Sequence, residues 1–231
     1  MGYVFPPAPQ ASIAVQGSTD RFPVRRIFCV GRNYAAHARE MGKDPDRDPP
    51  FFFTKPADAV VETGATVPYP PETENFHYEI ELVVAIGKGG HNIAEADVHN
   101  HIWGATVGID LTRRDQQLAA RDKGRPWDWG KAFDHSAPMA PLVPLTKVPS
   151  LDQGRIWLAV NGDTKQDADI ADLIWSVREH ISILSPSMTL APGDLVMTGT
   201  PAGVGPIVPG DTITGAVDGL ADIRITIGDR A

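Results

Sequence analysis

The stretch HYEIELVVAIG, residues 77–87, decides the fold because it carries two different faces. Side chains two residues apart on a strand share a face, so we expect Glu79 and Glu81 to lie side by side. Their own face turns apolar afterwards, at Val83 and Ala85. The opposite face is apolar throughout, at Tyr78, Ile80, Leu82, Val84 and Ile86. The pattern predicts a central strand buried on both faces, with two carboxylates at its mouth.

Two carboxylates in such a place repel each other and lose hydration unless a cation compensates them. All-oxygen ligands suit a hard divalent ion such as Mg²⁺, Mn²⁺ or Ca²⁺ better than zinc. A third acid, Asp110, closes the apolar run GATVGID (104–110), whose strand end can deliver it to the same ion. A solvated sheet edge with ordinary ion pairs is the alternative interpretation of the two glutamates, and the apolar surroundings make the two interpretations about equally good.

Composition restricts the class of protein. The 231 residues are 42% hydrophobic and 22% charged, as in a soluble globular protein with a substantial core. The net charge of −8 argues against nucleic acid or an anionic membrane surface as a partner. Cys29 is the single cysteine and lies in the apolar run IFCVG, so we interpret it as a core residue. Neither a signal-peptide pattern nor a stretch of transmembrane length is present, which leads us to expect a cytoplasmic protein.

The order of elements predicts a β-rich α+β fold with a rolled or barrel-like sheet, because helices are few and short strands cluster late in the chain. Residues 1–24, with four prolines, form an N-terminal arm or short lead-in, and residues 25–231 form a single domain. We expect exposed loop structure at the proline-rich residues 43–50. Helices are predicted at 34–41 (capped by Asn33), 93–101 and 170–184, and residues 111–123 form a charged amphipathic segment.

Several polar residues have the spacing of a catalytic site. His37 and Glu40 lie three apart on a predicted helix, so Glu40 can polarise the imidazole as a general base for water. The alternative is a surface histidine with a helical neighbour. Lys55 and Lys131 stand among apolar and proline residues, where each either extends its ammonium group to solvent or binds a substrate carboxylate or oxyanion.

Two further segments are candidates for substrate contacts. Arg114 and Gln117, three apart just after Asp110, face the presumed metal. The segment 198–201, Thr-Gly-Thr-Pro, offers hydroxyl and backbone N–H groups to a carboxylate, or is simply a tight turn.

Seven motifs in order make the chain, from Ile27 to Ile227, resemble the fumarylacetoacetate hydrolase family. They are GRNYAAHARE (31–40), FFFTKPADAVV (51–61), HYEIELVVAIGK (77–88), VGIDLTRRDQQ (107–117), GKAFDHSAP (130–138), the Asn161–Gly162 turn with Gln166, and LAPGDLVMTGTPAGVG (190–205).

The resemblance implies a mixed β-sandwich roll of the family's C-terminal domain type, built around Mg²⁺ or Mn²⁺ in a homodimer, with Ca²⁺ an alternative occupant in a crystal. Glu79, Glu81 and Asp110 then bind the metal. His37 and Glu40 match a water-activating pair on a segment that closes as a lid. The other matches are Lys131 near the metal, Gln117 near the reacting carbonyl, Thr200 at the substrate carboxylate, and Arg32, Tyr34, Lys55 and Arg114 as further substrate-binding residues.

The implied reaction is metal-dependent hydrolysis of the C–C bond of a 2,4-dioxo acid, an acylpyruvate. The short length and the stretches 51–61 and 126–138 look most like the subgroup that hydrolyses fumarylpyruvate in bacterial gentisate degradation. Its distal carboxylate needs a cation, for which Arg32, Arg47 and Arg114 are candidates. The alternatives are oxaloacetate decarboxylation or tautomerisation, isomerisation of a hydroxydienedioate, and a metal protein that binds dicarboxylates without turnover.

Overall fold

The computed structural model describes residues 2–40 and 49–230. Its strands are β1 (Ser12–Ala14), β2 (Arg21–Pro23), β3 (Arg26–Gly31), β4 (Phe51–Lys55), β5 (Val60–Glu62), β6 (Thr66–Tyr69), β7 (Phe76–Tyr78), β8 (Ile80–Ile86), β9 (Ile102–Ile109), β10 (Thr112–Arg113), β11 (Ala137–Met139), β12 (Val143–Pro144), β13 (Arg155–Val160), β14 (Asp163–Asp169), β15 (Asp194–Met197), β16 (Gly205–Pro206), β17 (Thr212–Val217) and β18 (Ile223–Arg230). The α-helices are α1 (Ala35–Glu40), α2 (Arg114–Asp122), α3 (Asp128–Lys131) and α4 (Val177–Leu184). Short 3₁₀ helices lie at Ala57–Ala59, Glu95–His101, Leu145–Lys147 and Ile170–Asp172.

Two large sheets dominate the fold. The larger has the order β4-β3-β15-β8-β9-β11-β5, with β12 paired to β9, and the smaller has the order β14-β13-β17-β18-β6. The first sheet is mixed, because β15 runs parallel to β3 and antiparallel to β8. Two small sheets, β1-β2 and β10-β7-β16, complete the described part. The predicted β-rich fold with a mixed, curled sheet is confirmed.

Strand β8 lies at the centre and is buried along its whole length. Ile80, Leu82, Val84 and Ile86 belong to one core cluster, together with side chains of β13, β17 and β18 from the smaller sheet. Val83 and Ala85 belong to a second cluster on the other face. Each such side chain contributes about 1.5–3 kcal/mol by burial, so both faces hold this strand in place.

The second face is covered by the N-terminal hairpin β1–β2. Its side chains Ile13, Val15 and Phe22 are buried in the same cluster as Cys29, whose predicted core position is confirmed. The division of the chain into an arm and a domain at residue 25 stays a prediction.

The predicted continuous helix 170–184 is wrong. A 3₁₀ turn at Ile170–Asp172 and α4 at Val177–Leu184 are separate, because Asp169 and Ser176 each begin a helix with its own capping box. A capping box satisfies the first N–H groups of a helix and so fixes its start.

Asn33 was predicted to cap the helix at 34–41, and the structure corrects this prediction. Asn33 is instead hydrogen-bonded to the segment between the 3₁₀ helix Ile170–Asp172 and α4. Its Oδ1 accepts a hydrogen bond from the Trp175 N–H (2.7 Å), and its Nδ2 donates to the carbonyls of Trp175 and Thr198 (2.8 Å each). Asn33 therefore joins the segment before α1 to the turn after β15.

The other predicted helices are shorter than expected. The helix predicted at 34–41 corresponds to α1, and its last residue, Met41, lies outside the described residues. The helix predicted at 93–101 is the 3₁₀ helix Glu95–His101. In the amphipathic segment 111–123, helix α2 begins at Arg114, because residues 112–113 form β10. The loop 43–50 lies largely outside the described residues, which include only its last two positions. None of the helices in the described ranges is long and apolar enough to cross a membrane.

Candidate active site

The three predicted metal-binding carboxylates come together at one point. One oxygen each of Glu79, Glu81 and Asp110 lies within 4.8 Å of the others, and all three residues are buried. Glu79 occupies the break between β7 and β8, where its carbonyl accepts the Asp110 N–H at 2.8 Å. This backbone bond places Glu79 opposite Asp110 at the end of the β8–β9 ladder, while Glu81 is paired with Gly108 one step further.

Buried cations contact two of these carboxylates. The Lys131 ammonium donates to Glu79 Oε2 (2.8 Å), Asp110 Oδ2 (2.6 Å) and Thr112 Oγ1 (2.7 Å). Arg114 donates to Glu79 Oε1 at 2.5 Å. Burial alone would raise the pKa of Glu79, but the Lys131 and Arg114 charges outweigh it and hold that pKa well below its ordinary value. Glu79 is therefore an anion at neutral pH.

Glu81 has a different environment. Its Oε2 accepts the Gly199 N–H at 2.7 Å. Burial, followed by the adjacent Asp110 and Glu79 carboxylates, raises the pKa of Glu81 well above its ordinary value. In addition, the buried Asp110 Oδ1 forms an ion pair with the Lys55 ammonium at 2.8 Å. The three buried carboxylates converge and offer only oxygen ligands, a donor set that fits a hard divalent cation such as Mn²⁺ or Mg²⁺.

The predicted histidine–glutamate pair is also assembled. His37 Nδ1 lies 3.0 Å from Glu40 Oε2 on α1. The imidazole is 6% exposed and lines a cleft that also contains the acidic triad. Both Glu40 oxygens also lie 3.3 Å from the Gly203 N–H, which donates to them. Glu40 therefore links the imidazole to the turn that follows Thr200.

The cleft and the solvent space at its mouth together contain about 460 Å³ of empty volume. Among the described residues, its lining includes the predicted Arg32, His37, Glu79, Glu81, Asp110, Arg114, Gln117, Lys131 and Thr200. It also includes Val30, Gly31, Phe53, Arg121 and Trp127, which the sequence analysis did not identify. A signal for Arg121 was present, because residues 114, 117 and 121 are three and four apart and so share one face of α2.

Thr200 is oriented by a buried glutamine. Gln166 Nε2 donates to Thr200 Oγ1 (2.8 Å) and to the Pro201 carbonyl (2.7 Å), while its Oε1 accepts the Ile80 N–H (3.0 Å). The amide thus fixes the 198–201 turn to the start of β8, next to the acidic triad.

His77 is hydrogen-bonded to Arg114 and was not among the predicted site residues. Its Nδ1 lies 3.4 Å from Arg114 Nε, and its Nε2 lies 2.7 Å from Asn75 Oδ1. Burial, and then the Arg114 charge, lowers the pKa of His77 to about 4. The imidazole is therefore neutral at pH 7, accepts from Arg114 and donates to Asn75.

Two predicted substrate contacts do not reach the cleft. Lys55 lies behind Asp110, where its ammonium also donates to the carbonyls of Leu111 (3.1 Å) and Lys131 (2.5 Å). Burial lowers the pKa of Lys55, and Asp110 offsets part of that effect. Tyr34 is 2% exposed within the core, and its hydroxyl has no partner among the described residues. Arg47 lies outside the described residues.

Comparisons with known proteins agree with this geometry. The family model described as fumarylacetoacetate (FAA) hydrolase C-terminal matches residues 26–228. The chain is 51% identical over 190 residues to a fumarylpyruvate hydrolase of Ralstonia sp, covering 81% of this chain and 98% of that protein. It is 39% identical over 203 residues to the mitochondrial oxaloacetate tautomerase of Mus musculus, covering 88% and 91%.

Solved structures show the same fold. The crystal structure of fumarylpyruvate hydrolase from Pseudomonas aeruginosa, in complex with Mn²⁺ and pyruvate, superposes with a TM-score of 0.97. Its sequence is 52% identical, and the match covers 99% of this chain and 100% of that one. A 5-carboxymethyl-2-hydroxymuconate delta-isomerase from Mycobacterium smegmatis has a TM-score of 0.81 at 31% identity, covering 91% and 81%. The chain belongs to the fumarylacetoacetate hydrolase family.

Proposed function

We propose that the protein is a metal-dependent hydrolase that cleaves the C3–C4 bond of a 2,4-dioxo acid, with fumarylpyruvate as substrate and fumarate and pyruvate as products. One observation carries the proposal: His37, which is hydrogen-bonded to Glu40, lines the same cleft as the acidic triad. A tautomerase or decarboxylase needs the 2-oxo acid site but no base for water. The relatives that are fumarylpyruvate hydrolases add support at about half identity.

In this proposal Glu79, Glu81 and Asp110 hold Mg²⁺ or Mn²⁺. When bound, the cation would supply Lewis acidity to the 2-oxo acid end of the substrate and so favour the negative charge that develops there. Thr200, oriented by Gln166, is placed to donate its hydroxyl proton to the substrate's C1 carboxylate. We propose that this contact fixes the end of the substrate at the triad.

His37 acts as the general base. His37 Nδ1 donates a hydrogen bond to Glu40, so Nε2 of the neutral imidazole carries no proton and can take one from water. The water oxygen forms a bond to C4, the C3–C4 bond breaks, and its electron pair moves to C3 as the enolate of pyruvate. A proton then returns to C3, so that one water is consumed for each fumarate and pyruvate formed.

Gln117 is the proposed donor to the oxyanion at C4. Its Oε1 accepts from Arg114 Nη1 at 2.5 Å, and because arginine only donates, the side chain keeps its N–H groups as donors for the cleft. Lys131 was predicted as a second oxyanion donor, but its three ammonium protons are used by Glu79, Asp110 and Thr112. We therefore propose that Lys131 positions the metal-binding carboxylates.

The test is product release by purified protein from fumarylpyruvate, acetylpyruvate and oxaloacetate, with Mn²⁺ or Mg²⁺ and with EDTA. Metal-dependent pyruvate and fumarate from fumarylpyruvate supports the hydrolase. Pyruvate mainly from oxaloacetate would replace it by a decarboxylase. A change of the diketo-enol absorbance without pyruvate would indicate a tautomerase or isomerase, which the relatives at 39% and 31% identity make the second candidates.

The setting of the enzyme belongs to the same proposal. We propose a cytoplasmic homodimer in the degradation of aromatic compounds. The single buried cysteine is compatible with a reducing compartment. Tyr3, Val4 and Phe5 are 78%, 101% and 76% exposed, and such a run of apolar side chains suits an interface between two copies. Light scattering at low concentration tests the dimer, and a monomer would refute that part.

A further inference from the structure

We propose that Arg121 determines specificity by binding the carboxylate at the far end of the acyl group, so that the site selects acylpyruvates that are dicarboxylates. The inference rests on the proposed function for the identity of the substrate. It concerns a residue that the sequence analysis did not name and that lies apart from the acidic triad.

Two of the basic side chains that line the cleft, Lys131 and Arg114, are hydrogen-bonded to other side chains of the protein. Lys131 donates its three protons to Glu79, Asp110 and Thr112. Arg114 is held by Glu79, Gln117 and His77. Both cations therefore balance the metal-binding carboxylates.

The described lining also includes Arg32 and Arg121. The Arg32 guanidinium carbon stands 5.2 Å from the Phe51 ring centre and 5.9 Å from that of Trp127. Trp127 and Arg121 both line the cleft.

Arg121 makes an ion pair with its sequence neighbour Asp122 at 3.0 Å, and their side chains are 34% and 65% exposed. An exposed pair of this kind contributes little to stability, so a substrate carboxylate in the cleft can compete with Asp122. A guanidinium group can grip a carboxylate with two parallel hydrogen bonds, which gives directional selectivity that a lysine lacks.

The length of the substrate matches this position. Arg114 touches Glu79, and Arg121 lies seven residues further along the same helix face, about 10 Å at 1.5 Å per residue. In fumarylpyruvate six bonds separate the two carboxyl carbons, about 7 Å in an extended chain. The three bonds of oxaloacetate span only about half of that distance. In this proposal Arg121 binds the far carboxylate of the seven-carbon acid, whereas that of the four-carbon acid ends about 3–4 Å nearer the triad.

A binding experiment separates this inference from the proposed reaction. The probe 2-oxoheptanedioate has the length and both carboxylates of fumarylpyruvate but no C4 carbonyl, so hydrolysis does not consume it. Its matched control, 2-oxoheptanoate, lacks the far carboxylate. Calorimetric titration of Mn²⁺-loaded protein should show that the dicarboxylate binds about ten- to a hundred-fold more tightly, as expected for one charged hydrogen-bonded contact.

Arg121→Gln should abolish that preference and leave the affinity for 2-oxoheptanoate within about two-fold, while Arg121→Lys should restore part of it. Arg178→Gln is the matched control, because Arg178 is also a helical arginine in an exposed ion pair, with Asp152 at 3.3 Å, but lies outside the cleft. Equal affinities of the two acids for the wild-type protein, or an unchanged preference in Arg121→Gln, would overturn the inference.

The kinetic counterpart uses fumarylpyruvate and acetylpyruvate. Arg121→Gln should raise KM for fumarylpyruvate about ten-fold or more and change the acetylpyruvate kinetics little. Wild-type protein that shows the binding preference but hydrolyses neither acid would contradict the proposed function and leave the recognition role of Arg121 standing. Loss of activity towards both substrates in equal measure would overturn the specificity role.

Discussion

Replacing Lys131 by methionine is expected to cost about 3–5 kcal/mol of the free energy of unfolding in metal-free protein, the range for breaking a buried ion pair from one side. The side chain is 1% exposed. Burial alone would lower the pKa of Lys131, but Asp110 and Glu79 outweigh it and raise that pKa, so the group is charged at neutral pH. Methionine preserves the apolar stem, while Glu79 and Asp110 each lose a charged hydrogen bond, at 2.8 and 2.6 Å.

The assay is urea unfolding near neutral pH, once in EDTA and once with saturating Mn²⁺. In Mn²⁺ the gap between the variant and the wild type should narrow, because a cation that binds only the folded protein takes over the compensation of the same carboxylates. Lys123→Met, at the exposed end of α2, is the control and should change stability by less than about 0.5 kcal/mol. A loss below about 1 kcal/mol for Lys131→Met in EDTA, or a gap that Mn²⁺ leaves unchanged, would refute the assigned charge compensation.

Three further perturbations test other contacts. Glu40→Gln keeps the shape of the pair but removes its charge, so kcat should fall roughly a hundred-fold with little change in pyruvate binding; steady-state kinetics and calorimetry check this, and an unchanged kcat would contradict it. Gln166→Leu leaves the buried Ile80 N–H and Thr200 without their partner and should lower the free energy of unfolding in urea by about 2–3 kcal/mol. An unfolding free energy close to that of the wild type would contradict this prediction. Burial lowers the pKa of His180 to about 4, so its neutral form contributes stability that is present above pH 6.5 and lost as the pH falls towards 4. Between pH 7 and 4.5 the wild type should therefore lose about 2–3 kcal/mol more than His180→Leu, and parallel pH profiles of unfolding free energy would exclude this.

The sequence predicted the centre of the site well because strand alternation is a local rule. Glu81 lies on β8 and Glu79 in the break just before it, yet their two-residue spacing still brings both carboxylates to one site, and the apolar positions of β8 require burial. The pair His37–Glu40 was equally local, since residues three apart lie on the same face of a helix.

Contacts between segments far apart in the chain could not be predicted from the sequence. Asn33 looked like a helix cap, but it bonds to backbone groups more than 140 residues away, and the capping boxes at Asp169 and Ser176 divide a segment whose apolar periodicity alone indicates one helix. Lys55 could not be distinguished from Lys131, because only the three-dimensional fold places one ammonium behind Asp110 and the other among the carboxylates.

The most direct test of the account is the quantity of each product released from fumarylpyruvate by Mn²⁺-loaded wild-type protein and by His37→Ala. The account predicts fumarate and pyruvate in equal amounts from the wild type. It also predicts near-complete loss of both products from the variant, with Mn²⁺ binding retained. Equal product release at the wild-type rate by His37→Ala would contradict the assignment of water activation to the His37–Glu40 pair. Pyruvate without fumarate from the wild type would contradict hydrolysis at the C3–C4 bond.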